Sequence, residues 1–376
     1  MERYDVIVVG GGVMGCAATY QLAKRGRRVL LLEQFAINHD RGSSHGHSRI
    51  IRLAYSAPVY VQLAQAAYPL WRALEAESGT QLLLQTGGLD FALPGTPSFE
   101  ATCASLAALD IGFEQLDHAA LATRFPQFQL PDGMIGIYQA AGGLLNADHC
   151  VATLAARARR HGATICENTA AQQVIPAGAG VEVRTATETY QADRLIMTVG
   201  SWARPQLRQL GLDLPLRVTK EQVAYFAPLE PALFEPTRFP VFIHHMDERW
   251  SFYGFPIYGL PGIKIGRHMS GTEIEPASDD RDPVPERLAE LRAYVAQFFP
   301  QAAGEVIFTQ TCRYTSTPDE DFIIDRHPEY PQIVIGSPCS GHGFKFGVLI
   351  GKILADLAEH GTTDQPIAPF GIGRFA

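Results

Sequence analysis

The first apolar run of the chain, Val6 to Val9, shows no alternation of hydrophobic and polar positions, which predicts a parallel strand covered on both faces. A helical pattern follows, with Ala17, Leu22 and Ala23 on its buried side and an end near Gly26; a second apolar strand is predicted over 28–32. Farther on, the spacing predicts a helix over 58–78, a strand over 85–93 and a helix–loop–helix over 99–125. The segment 143–168 reads as a long amphipathic helix and then a strand, a second strand–helix–strand crossover. Residues 194–199 read as a buried strand returning to the first sheet. From 216 to 270 the pattern becomes alternating and rich in aromatic residues ("QVAYFAPL", "PVFIHHM", "WSFYGFPIYGLPGIKIGRH"), as expected of an antiparallel sheet with one covered face. A helix over 282–300 and a strand, glycine-rich turn and helix over 332–361 complete the series.

This order predicts a mixed α/β fold: a Rossmann-like nucleotide-binding domain with an interleaved substrate domain built on a largely antiparallel sheet. The first is expected to be discontinuous, from 1–85, 143–215 and 305–376, and the second to come from 86–142 and 216–304. No linker, repeat or low-complexity tract interrupts the chain.

The first unit carries specific chemistry. Gly10, Gly12 and Gly15 fit G-x-G-x-x-G between a strand and a helix, where glycines permit a tight turn, close approach of a pyrophosphate and close helix packing. Val13 and Met14 open that helix. Glu33, 18 residues after Gly15 and followed by Gln34, closes the next strand, where a carboxylate accepts from ribose hydroxyls and repels a 2′-phosphate. FAD or NAD is therefore expected over NADP. The loop "RGSSHGHSRIIRLAY" supplies small residues able to wrap a ring system (Gly42, Ser43, Ser44, His45, Ser48). It also supplies Arg49 and Arg52, three apart and on one face if the segment turns helically. Gly200 and Trp202 start a helix after a strand, and Gly341, His342, Gly343 and Phe344 lead to another helix N-terminus suited to an anion or a flavin edge.

Composition narrows the setting. The 376 residues are 46% hydrophobic with a net charge of −8, and no cluster of Lys and Arg forms a phosphate-tracking surface, so nucleic acid is not an expected partner. The six cysteines show no C-x-x-C pair or repeated spacing, which fits a reducing compartment. With no apolar run of membrane-spanning length, no leader and a C-terminal "GRFA" unlike a peroxisomal SKL address, a cytoplasmic protein is expected. His45–His47 and His244–His245 lack completing ligands, and no metal is expected.

The blocks "GSSHGHSRIIR", "GIKIGRH", "CRYTSTPDEDFIIDRHP" and "SGHGFKF", in this order, resemble the monomeric sarcosine oxidase family of flavoproteins, which includes N-methyltryptophan oxidase and the pipecolate oxidases. The resemblance covers essentially the whole chain. It implies FAD joined to Cys312 through an 8α-thioether, with the other five cysteines left to the core. It implies Arg52 and Lys345 as the grip on a substrate carboxylate, with Arg49 and Ser48 beside the flavin. Lys264 would be a fixed cation promoting reaction with oxygen, His268 an active-site histidine, and Tyr253 and Tyr314 cavity walls. The activity implied is oxidation of a secondary amino acid (sarcosine, N-methyl amino acids, L-pipecolate or L-proline) with O2 reduced to H2O2, by a monomer. A dehydrogenase using another acceptor and a non-catalytic FAD-binding protein are the alternatives.

Overall fold

Because Val6 and Val8 point to one side of their strand and Ile7 and Val9 to the other, Arg3–Val9 needs cover on both faces, and it receives it. The computed structural model describes residues 3–247, 251–336 and 340–375. Arg3–Val9 lies between two parallel neighbours, Val29–Leu32 and Thr189–Met197. Thr164–Cys166 and Ile333–Gly336 extend the parallel sheet outward. Helices Val13–Lys24, Ala147–Arg160 and Gly347–His360 pack on Val6, Val8 and Leu31, while Leu207, Leu210 and Ile335 join Ile7, Val9 and Leu30 on the opposite face. Each fully buried aliphatic side chain in such a core contributes about 1.5–3 kcal/mol.

Among the described residues the larger sheet has nine strands. Its long strand Arg217–Phe226, near one edge, pairs antiparallel with Ile263–Arg267 and, along its whole length, with Val306–Ser316. Among the described residues only Gly88–Ala92 and Val241–His245 run parallel within it. Its covered face buries Phe91, Phe128, Phe239, Phe242 and Phe299 beneath the helix Pro285–Phe298. A small third sheet of Arg49–Ile51, Gly143–Leu145 and Leu83–Gln85 lies apart from both.

The mixed α/β fold, with a Rossmann-like region and a largely antiparallel second sheet, is as expected; several local expectations are corrected. Gly143–Leu145 pairs in the third sheet, so the helix Ala147–Arg160 does not connect two strands of one sheet. A strand, Glu114–Leu116, interrupts the helix–loop–helix over 99–125. The hairpin Gln173–Ala177/Gly180–Arg184 extends the first sheet through short, half-exposed strands whose pattern carried little hydrophobic signal. Arg49 and Arg52 do not share a helical face, because Arg49–Ile51 is extended. Val306–Ser316, which sequence order groups with the first sheet, is hydrogen-bonded into the larger one. Cys16 and Cys150 are buried, but Cys103 and Cys166 are only half-buried; Cys339 lies outside the described residues. Among the described residues no helix is long and apolar enough to cross a membrane, and no group of three acidic, His or Cys side chains is placed to hold a metal ion.

Candidate active site

One cavity of about 540 Å³ runs from the glycine turn after Arg3–Val9 to the underside of the larger sheet. Every residue expected to bind cofactor or substrate or to act in catalysis lines it except Gly15 and Ser48. Gly10 has φ +100°, and a Cβ there would lie 2.4 Å from Thr198 O; at Gly15 a Cβ would lie 1.8 Å from Gly10 O. Gly15 therefore sets how closely the helix packs on the turn. That helix has no side-chain cap at Gly12, and Val13 N donates to Ser44 Oγ at 3.1 Å. Glu33, 3% exposed, accepts from Gly11 N at 2.5 Å and from Phe35 N at 2.8 Å. A carboxylate has about four acceptor positions, so capacity remains for ribose hydroxyls. The residues fit FAD on a further observation: both ring nitrogens of His45, in the cavity wall, are buried without a hydrogen-bond partner among the described residues. Burial, with Arg49 nearby, pulls His45 down to about 3, so the ring is neutral and able to meet a polar ligand edge.

At mid-cavity, Arg49 closes its own loop, donating from Nη2 to Ser43 O at 3.0 Å and His45 O at 2.7 Å and from Nη1 to Ser48 O at 2.9 Å. Ser43 Oγ donates to Arg313 O at 2.6 Å, which ties this loop to the strand carrying Cys312. Trp202 lies under the Arg313 guanidinium, 5.0 Å from its ring centroid. Burial pushes the Cys312 thiol up, opposed by Arg49 and Lys264. Lys264 Nζ donates to Ser48 O at 2.9 Å, so Ser48, 1% exposed, stands behind the cavity wall as the holder of that amine. Burial, then Arg49, holds Lys264 well below the ordinary lysine range. Desolvation thus works against the charged form of the fixed cation that the resemblance implies.

The far end is richer than the sequence suggested. Lys345 Nζ donates to Tyr55 OH at 2.7 Å and His342 O at 2.9 Å, and burial followed by Arg52 lowers its pKa. Arg52 does not reach into the cavity unpaired: Nη1 donates to Asp90 Oδ1 at 2.6 Å, and the guanidinium lies over Tyr55, 4.8 Å from the centroid. His268, just after the strand of Lys264, stands 5.6 Å from Tyr314 ring to ring; burial, Arg52 and Lys345 pull it down to about 4. Tyr253 and Tyr314 are hydrogen-bonded to each other, and burial raises both phenols. Phe344, Gly341 and Gly343 complete this wall. His244 and His245 part as strand geometry requires, with His244 Nδ1 3.1 Å from Tyr294 OH and His245 Nε2 2.9 Å from Asp90. Sequence reasoning missed Tyr55 and Asp90. The signal for Asp90 was a lone acid in the apolar stretch "GGLDFAL", since a fully buried carboxylate requires a partner.

The FAD dependent oxidoreductase (DAO) family matches residues 5–357. The chain is 36% identical to the peroxisomal sarcosine oxidase of Homo sapiens over 384 residues, covering 100% of this chain and 97% of that protein. It is also 36% identical to a monomeric sarcosine oxidase of a Bacillus species, over 100% and 97% of the two chains, and 31% identical to an N-methyl-L-tryptophan oxidase of Salmonella arizonae, over 100% of both. Among solved structures, NikD, an unusual amino acid oxidase essential for nikkomycin biosynthesis, superposes with a TM-score of 0.87 at 27% identity, covering 99% of this chain and 98% of that one. A cradle fitted to FAD, a substrate end fitted to an amino acid and full-length relatives of this kind have one common account: the chain belongs to the FAD-dependent oxidoreductase family, acting on amino-acid-like substrates.

Proposed function

We propose that the protein is an oxidase of secondary amino acids, in the manner of the sarcosine oxidases, with its FAD tethered through Cys312. The observation that carries this reading is convergence. Cys312, Lys264, Arg52 and Lys345 come from distant parts of the sequence and face one cavity. Bound FAD supplies the two-electron acceptor that takes a hydride equivalent from the carbon next to nitrogen, leaving an imine for water to hydrolyse, and passes the electrons to O2 to give H2O2. The residues do the rest. Arg52 brings a positive group, offset by Asp90, and Lys345 a buried amine donor, so the grip suits one carboxylate and fixes the Cα–N bond in register. Neutral His268 and the Tyr253–Tyr314 pair bound the reacting carbon without adding charge, which lets the substrate nitrogen sit there unprotonated. Lys264 waits at the end of the Ser48 hydrogen bond to answer negative charge formed on reduction.

Titration of the holoenzyme under anaerobic conditions with sarcosine, N-methyl amino acids, L-pipecolate and L-proline should bleach the flavin, and admitting oxygen should restore it with one H2O2 per imine. Absence of bleaching by every member of this panel would sink the reading. Acid precipitation should leave flavin with the polypeptide, and Cys312→Ser should release it; retained flavin in the variant would remove the tether. A dehydrogenase passing electrons to another acceptor draws on one observation, the depressed pKa of Lys264. Rapid reduction combined with slow reoxidation by oxygen and fast reoxidation by a dye would favour it.

A further inference from the structure

Beyond Arg52 the cavity wall carries a polar corner of which only Asp90 has a part in the steps above. Asp90, 3% exposed on the strand Gly88–Ala92, uses Oδ1 to accept from Arg52 Nη1 at 2.6 Å and from His245 Nε2 at 2.9 Å. A carboxylate in contact with Nε2 fixes the neutral imidazole as the Nε2–H tautomer and turns a lone pair at Nδ1 outward. Ser98 Oγ lies 3.1 Å from that Nδ1 and 3.1 Å from Asp247 O, and its single hydrogen serves one acceptor at a time. Thr102 Oγ1 donates its own hydrogen to Ser98 O at 2.8 Å, so it too presents lone pairs. Ser98, Thr102 and His245 line the same cavity as Arg52. The Ser98 hydrogen is thus shared between His245 Nδ1 and Asp247 O, the Thr102 hydrogen is spent on Ser98 O, and the corner has more acceptors than donors.

We propose that Ser98, Thr102 and His245, backed by Asp90, form the subsite for the substrate's side chain, and that it selects side chains ending in an O–H or N–H donor over apolar chains of the same length. The proposal rests on the reading that Arg52 and Lys345 hold the substrate carboxylate. Asp90 joins the two parts, because a single carboxylate oxygen orients both the guanidinium and the imidazole. The carboxylate anchor and the side-chain corner therefore keep a fixed spacing. A donor reaching the corner completes its hydrogen bonding, whereas an apolar terminus displaces water and leaves the acceptors unpaired.

The test uses the flavin-loaded enzyme and two matched pairs: N-methyl-L-homoserine against N-methyl-L-norvaline, and Nα-methyl-L-ornithine against N-methyl-L-norleucine. Binding is read from perturbation of the flavin spectrum and turnover from anaerobic reduction, with sarcosine as the reference that has no side chain. The donor member of at least one pair should be preferred by about 10-fold or more in reduction rate over Kd. His245→Phe should bring that ratio to about one, while His245→Gln, whose amide oxygen can accept, should restore part of it; flavin content and thermal melting check that both variants fold. If sarcosine bleaches the flavin and both pairs react alike in the unaltered enzyme, the subsite is overturned and the oxidase reading stands. If no compound bleaches it but the donor members bind more tightly, the oxidase reading falls and the subsite stands. Equal binding within each pair without any bleaching overturns both.

Discussion

Lys264 shows how far a single residue's chemistry depends on its surroundings. In the sequence it is a lysine on a strand; in the fold it is 5% exposed, donates to Ser48 O and is held well below the ordinary lysine range by burial and Arg49. It carries charge only below its lowered pKa, so reoxidation of the reduced enzyme by oxygen should quicken as pH falls. Lys264→Met should abolish that pH dependence. A cation about 4 Å from a developing anion, at an effective dielectric near 20, is worth about 4 kcal/mol, which caps the loss in the variant at roughly three powers of ten. Stopped-flow oxygen mixing measures both effects, and a reoxidation rate indifferent to the substitution would remove Lys264 from the oxygen step. Anaerobic reduction should change much less. At this scale the glycines were legible because their motif is local, while Tyr55 and Asp90 were not, because their partners lie 290 and 38 residues away.

At the scale of elements, two glycines, one in the first turn of a helix and one just past its end, make opposite demands. A methyl group at Gly15 would meet Gly10 O at 1.8 Å, so Gly15→Ala must drive Val13–Lys24 away from the turn that would hold the pyrophosphate. Gly26, just past the helix end, has φ +79° with nothing within 4 Å of an added Cβ, so Gly26→Ala costs only the left-handed backbone, about 1–2 kcal/mol. The first variant should lose most of its flavin and melt markedly lower; the second should keep its flavin and melt a few degrees lower. Flavin content per polypeptide and thermal melting separate them, and a Gly15→Ala protein with full flavin would contradict the packing. The same helix touches Gly347–His360 closely enough that a Cβ on Gly351 would lie 2.4 Å from Ala17 Cβ. Element types were readable wherever the hydrophobic period was long and clean, as in Pro58–Ser78. They were lost where short strands such as Glu114–Leu116 owe their pairing to a distant neighbour.

For the whole molecule, stability should fall on the acid side. His244, 2% exposed, stacks on Phe91 with centroids 4.5 Å apart; burial, then its neighbour His245, pulls it from the ordinary 6.5 down to about 3. Between these values the unfolded chain binds a proton that the folded one refuses, so stability is fully present above about pH 6.5 and declines as pH falls toward 3. Melting temperature should therefore drop steadily from pH 7 to pH 4, and His244→Phe, which removes the titrating ring but keeps the stack, should flatten the slope; an unchanged slope would exclude this histidine as its source. Sequence alone determined what depends on local order: the apolar strand with its glycine turn and terminal acid, the alternating aromatic strands, and the motif blocks that point to a flavin and an amino acid. Tertiary structure decided which sheet each short strand joined, that Arg52 reaches the cavity already paired with Asp90, and that Lys264 is buried against Ser48, where desolvation lowers its pKa. Hydrophobic period and backbone conformation are properties of neighbours in the chain, whereas ion pairing and desolvation belong to groups that meet only when the chain has folded.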